Sequence, residues 1–134
     1  MTPRYWLIVA SRDHVRQGME GGFSQACHGK RSPLARTKQG DTIIYYSPKA
    51  KFGDKISTCR KFTAIGKVIG SEAYNVQTTK DFCPSRIDVE FDRDAKEVAW
   101  DAVKNSVSFT SKLRFGFLEL TTDEYAFIRN LMCK

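Results

Sequence analysis

Asp41-Thr42-Ile43-Ile44-Tyr45-Tyr46-Ser47-Pro48 begins on an acidic turn residue, runs through β-branched and aromatic side chains, and closes on a proline. Such residues fit the pleated surface of a strand, so the run predicts a strand started by Gly40-Asp41 and stopped by Pro48. Successive strand side chains point to opposite faces, so Tyr45 and Tyr46 face apart. One is expected in the core and the other at a pocket, and the alternation of Ile43, Tyr45 and Ser47 with Ile44, Tyr46 and Pro48 does not settle which. Upstream, Tyr5-Trp6-Leu7-Ile8-Val9-Ala10 is nearly continuous and apolar, as in a strand buried on both faces. Ser11 can cap a short helix that follows, with Asp13 in its first turn and His14, Val15 and Met19 along it. Gly18, Gly21 and Gly22 end that helix, and Ser32-Pro33 opens a second helical turn.

Downstream, residues 49–60 are basic and polar and read as a loop. Arg60 to Ile69 alternates as a strand, and Gly66 within it signals a bulge or a close backbone approach. Glu72 to Thr78 is expected to be its hairpin partner. Arg86-Ile87-Asp88-Val89-Glu90-Phe91 alternates strictly, with one wet face. Residues 95–105 suggest a short helix, and Arg114 to Leu120 a late strand. Thr121-Thr122-Asp123-Glu124 carries a capping box ahead of a closing helix that turns Tyr125, Ile128, Leu131 and Met132 inward. Many strands with isolated helices argue an α+β fold built on a curled sheet or small barrel. With no repeat or linker, residues 1–134 read as one domain.

The formal net charge is +7, and residues 28–61 account for all of it: nine Lys/Arg stand against Asp41 and Asp54. A concentrated basic segment is the footprint of a polyanion binder, and equally of a solvated basic surface. The four cysteines form no Cys-x-x-Cys pair. A zinc site from Cys27, His28 and a distant cysteine has poor spacing, and a Cys27–His28 nucleophile pair would join neighbours that point apart. No cofactor is expected. No leader and no membrane-length apolar run are visible, so a cytoplasmic protein with reduced thiols is expected.

Gly21-Gly22-Phe23-Ser24-Gln25-Ala26-Cys27-His28-Gly29-Lys30 gathers two glycines, an aromatic ring, an amide, an imidazole and an ammonium on one loop. Aromatic planes beside planar polar groups suit a flat, hydrogen-bonding ligand such as a nucleobase. Phe23 on a glycine-flanked loop fits a pocket wall better than core. Trp6 fits a wall or the core equally. Ser11 can cap its helix or bond a ligand, Gln25 can pair with a base edge, and His28 can contact a base or a backbone carbonyl. His14 reads as an ordinary helix-face residue.

In order and spacing these pieces resemble the EVE domain, a member of the PUA-like superfamily. The resemblance runs from Tyr5 to about Met132. It rests on Tyr5-Trp6, Ser11-Arg12-Asp13-His14-Val15, Gly21-Gly22-Phe23, Gln25, Cys27-His28-Gly29-Lys30, Pro33-Leu34, Gly40-Asp41, Tyr45-Tyr46-Ser47-Pro48, Phe62-Thr63-Ala64-Ile65-Gly66, Pro84, Arg86, Asp88-Val89, Arg114 and Gly116. One departure is that Phe109 to Lys112 lacks the tryptophan that often precedes the family's Arg-x-Gly segment. The resemblance implies a PUA-like fold, α+β, with a strongly curved mixed β-sheet forming a pseudo-barrel, short flanking helices and a C-terminal helix. It implies a non-catalytic module that reads a modified base, a methylated or otherwise modified cytosine or adenine in DNA or RNA, and association with a restriction or RNA-modification system. The expected base pocket is Trp6, Ser11, Phe23, Gln25, His28, Tyr45, Tyr46 and Ser47. The expected phosphate contacts are Arg12, Lys30, Lys49, Lys51, Lys55, Arg60, Arg86 and Arg114. The competing readings are a small enzyme acting on a nucleoside or RNA base through Ser11, His28 and Lys30, and a receptor for a small anionic metabolite.

Overall fold

The computed structural model describes residues 3–25, 31–51, 53 and 58–133. In chain order they form β1 (Tyr5–Val9), α1 (Arg12–Gly21), β2 (Phe23–Ser24), α2 (Arg31–Leu34), β3 (Thr42–Lys49), β4 (Thr58–Val68), β5 (Tyr74–Asn75), β6 (Ser85–Phe91), β7 (Val98–Ala99), β8 (Phe117–Leu120) and α3 (Thr122–Met132). Short 3-10 turns fill much of the stretch between β7 and β8. One strongly curved mixed sheet runs β2-β6-β4-β3-β1-β8, with β5 attached to β6 and β7 to β4. β1 and β3 are parallel; every other pair is antiparallel.

Both faces of the central strands are covered, which is why β1 and β3 read as continuous apolar runs. One face sends Trp6, Ile8, Ile43 and Tyr45 against Val15 of α1 and Leu34 of α2. The other sends Leu7, Ile44 and Tyr46 against Trp100, Phe109 and α3 residues Ile128 and Met132. α3 carries the expected capping box: Glu124 N donates to Thr121 Oγ1 at 3.1 Å and Thr121 N donates back to Glu124 Oε1 at 3.0 Å. The other oxygen of Glu124 accepts from Ser108 N and Oγ at 3.1 and 3.2 Å, tying the helix to the preceding turns. These donors hold the Glu124 carboxyl below its ordinary range, although burial acts against them.

Three expectations need correction. Of residues 72–78, Tyr74 and Asn75 pair with β6, not β4, because β4 is occupied by β3 on one side and by β6 and β7 on the other. Residues 95–105 form β7 and 3-10 turns instead of a helix. A run so short gains little as an isolated helix, whereas Val98 and Ala99 find partners beside Phe62 and Lys61. Pro48 lies inside β3, at a register shift between Ser47 and Lys49 where its missing donor is tolerated. The reading of Gly66 holds: a Cβ there would meet Glu90 O at 2.9 Å and Val89 Cγ1 at 2.7 Å.

The parallel pair is pinned by Asp41, which is 2% exposed. Its Oδ1 accepts from Arg4 N at 3.0 Å, and its Oδ2 accepts from Trp6 Nε1 and Lys38 N, both at 2.9 Å. Asp41→Ala leaves these donors without their acceptor. The expected loss in urea denaturation is about 3 kcal/mol of unfolding free energy, with a smaller loss for Asp41→Asn, which keeps one acceptor oxygen.

Candidate nucleic-acid interface

β1 and β3 run parallel, so their carboxyl ends open on the same side of the sheet. Ile8 lies beside Tyr45 and Val9 beside Tyr46, where β1 ends while β3 runs on to Lys49. A cavity of about 1150 Å³ occupies this position. Its walls come from Val9 and Ala10 at the end of β1, the first turns of α1, β2, Pro48 and Lys49 at the end of β3 with Lys51 after it, Arg86 of β6, and Leu113 to Gly116 before β8.

One wall is a stack of planar groups. The Arg86 guanidinium carbon lies 3.8 Å from the centre of the Phe23 ring. Arg86 Nε donates to Gln25 Oε1 at 3.1 Å. Gln25 N in turn donates to the Tyr45 hydroxyl at 3.3 Å, which also sits 2.5 Å from Ser24 Oγ. Gly21 makes room for the ring, since a Cβ there would come within 2.4 Å of Phe23 Cε2. Tyr45 is 3% exposed and Tyr46 6%, so both are mainly core residues that show only an edge to the cavity. The expected division into one core and one pocket tyrosine gives way to two shared roles, because both faces of β3 are covered.

Of the residues expected at the site, Ser11, Phe23, Gln25, Tyr45, Tyr46, Lys49, Lys51, Arg86 and Arg114 line this cavity. Trp6 does not: it is fully buried, bonded to Asp41 and stacked on Phe117 at 5.1 Å. Ser47 is also fully buried, its hydroxyl 2.8 Å from Thr63 Oγ1. Arg12 lies outside the cavity and pairs through Nε with Glu97 Oε2 at 2.8 Å, which joins α1 to the segment before β7. Arg60 lies outside as well, with a positive φ of 52° on β4 and a hydrogen bond to Tyr46. His28, Lys30 and Lys55 lie outside the described residues, as does Cys27. Of the basic segment, Lys49 and Lys51 reach the cavity, while Arg36 stacks over Trp6 at 4.9 Å.

Ser11 occupies the N-cap position of α1, but its hydroxyl makes no capping bond to the helix backbone; it donates to Asp13 Oδ1 at 2.5 Å. His14, read from sequence as an ordinary helix-face residue, lines the cavity with Ser11 and Gly18. Their spacing of three and four residues already placed them on one helix face. Phe82 and Phe115, 40% and 59% exposed, stand at the mouth and carried no motif. Among the described residues no carboxylate lines the cavity, and its charged groups are Lys49, Lys51, Arg86 and Arg114, with His14 besides. Also among the described residues, no group of three or more His, Cys, Asp or Glu could hold a metal ion, and no helix is long and apolar enough to cross a membrane.

A curved mixed sheet with helices at its ends, carrying a cavity where its parallel pair opens, is the architecture of a PUA-like domain. The chain belongs to the EVE domain family, whose model matches residues 4–131. It is 38% identical over 132 residues to a UPF0310 protein of Streptococcus gordonii, covering 96% of this chain and 93% of that one. It is 40% identical over 119 residues to the UPF0310 protein YdcG of Bacillus subtilis, covering 88% and 80%. Among solved structures it is similar to a hypothetical protein from Leishmania major, with a TM-score of 0.65, 16% identity, and 97% and 94% of the chains covered. It is likewise similar to human THYN1 in complex with 5-methylcytosine-containing DNA, with a TM-score of 0.59, 16% identity and 96% of each chain covered. At these identities the structural likenesses define the fold.

Burial pushes the Tyr45 phenol from its ordinary 10.0 up to about 12, although the bonds from Ser24 and Gln25 act against it. The folded protein then holds this proton more tightly than the unfolded chain does. The contribution is complete below pH 10 and is lost as pH rises toward 12, by on the order of 2–3 kcal/mol. Denaturation followed across this alkaline range should show a steeper loss of stability in the wild type than in Tyr45→Phe. Tyr74, also raised to about 12, contributes equally to both proteins.

Proposed function

We propose that this chain is a non-catalytic nucleic-acid-binding module that captures one modified base, a methylated or otherwise modified cytosine or adenine of DNA or RNA, in the cavity at the ends of β1 and β3. The observation that carries the reading is the wall of Phe23, Arg86 and Gln25 braced by Tyr45, beside a rim formed by Lys49, Lys51 and Arg114. A base lifted from its stack loses stacking energy, and an aromatic or guanidinium plane returns roughly 1–3 kcal/mol per base. Fixed polar groups then discriminate, because they go unpaired against the wrong edge. Cationic groups at the rim suit the phosphates on either side. The likeness to THYN1, solved with methylated DNA, supports nucleic acid as the ligand class.

The test is binding to otherwise identical oligonucleotides, DNA and RNA, single- and double-stranded, that differ in one modified base. One modification should bind at least about tenfold tighter than its unmodified parent, a difference of about 1.4 kcal/mol. Uniform affinity across the panel contradicts base reading. Affinity should also fall steeply with salt, and Lys49→Ala and Lys51→Ala should each lower the log–log slope by about 1 where the lysine meets a phosphate. A flat salt response would instead fit a receptor for a small anion.

A further inference from the structure

The reading above leaves cytosine and adenine open; the hydrogen-bond pattern inside the cavity distinguishes them. Adenine is usually read by a carboxamide, whose oxygen and amino group meet the N6 donor and N7 acceptor together. Gln25 is the carboxamide of the stacked wall, and its Oε1 already accepts from Arg86 Nε at 3.1 Å. It therefore does not present its two ends freely to one base edge. Arg86 is in the opposite position. Phe23 lies against its plane at 3.8 Å and Gln25 holds its Nε, while among the described residues no hydrogen bond takes its two Nη groups. A guanidinium held flat in this way offers a rigid pair of donors and no acceptor.

Resting on the proposed function, we infer that Arg86 is a specificity residue and that the captured base presents two adjacent acceptors. The N3/O2 edge of cytosine and the O6/N7 edge of guanine have that form. Adenine has none, because each ring nitrogen beside its amino group is paired with a donor. Uracil and thymine have none either, because their N3–H separates the two carbonyls. Gln25 is a positioning residue in this scheme: it orients Arg86 and does not itself read the base.

The experiment compares wild type, Arg86→Lys and Gln25→Ala on single-stranded oligonucleotides whose central base is cytosine, 5-methylcytosine, guanine, adenine, N6-methyladenine or uracil. Wild type should favour a cytosine or guanine form over every adenine and uracil form by about tenfold or more. The cytosine and guanine arms identify which two-acceptor edge is used. Arg86→Lys keeps the charge and loses the fork, so that preference should shrink to about threefold or less while salt-sensitive binding persists. Gln25→Ala leaves Arg86 in place but loose, and should give an intermediate preference. A preference for adenine or uracil forms, or an unchanged preference in Arg86→Lys, overturns the inference and leaves the nucleic-acid reading standing. Binding of no oligonucleotide by wild type removes both.

Discussion

The Asp41 carboxylate is the constraint on which the rest of the structure depends. It is buried, and it holds two backbone N–H groups and the Trp6 indole. Parallel strands cannot take their register from a tight turn, as hairpins do. Here register comes from a side chain: Asp41, at the entrance to β3, gathers Arg4 and Trp6 of the β1 segment and Lys38 of the preceding turn. Backbone bonds continue the pattern, with Thr42 N donating to Arg4 O at 3.0 Å and Val68 N to Asp41 O at 2.8 Å. A slip of one residue would exchange the Trp6/Ile8 face with the Leu7 face and move Tyr45 away from Ser24 and Gln25. The cavity lies at the far end of the same two strands, so its position follows from this register.

Site geometry then arises from packing more than from charge. Phe23 settles beside Gly21, Arg86 lies flat on Phe23, Gln25 holds Arg86, and Tyr45 meets the backbone of Gln25. Each planar group is fixed by the next, and three of them, Phe23, Tyr45 and Arg86, hang on strands of the sheet. A wall whose members are already ordered loses little conformational freedom on meeting a flat ligand, and this favours tight and selective binding.

Much of the fold was legible in the sequence. β1, β3, β4 and β6 followed from β-branched and alternating runs, and α3 from its capping box. The family pattern gave the curved sheet. Elements made by pairing were less legible: β2 and β7 are two residues each and exist because neighbouring strands offered partners, while β5, expected as a pairing strand, joins β6 and not β4. At the site, glycine-flanked Phe23, the Gln25 amide and Arg86 could be singled out, and all three meet. Trp6 and Ser47 could not be placed from sequence, because an aromatic or a hydroxyl serves equally in a core with a polar partner. Asp41 and Thr63 are those partners, and both are distant in sequence. Phe115 and Phe82 carried no pattern, since exposure at a cavity mouth is a property of the assembled fold.

The measurement that tests the central claim most directly is amide chemical-shift mapping by NMR, with a modified oligonucleotide titrated into the protein. The account predicts that the strongest shifts gather at Ser11 to Gln25, Tyr45 to Lys51, Arg86 and Leu113 to Gly116, around the open ends of β1 and β3. Shifts concentrated instead on α3, or on the surface around Asp92 and Arg129, would contradict it.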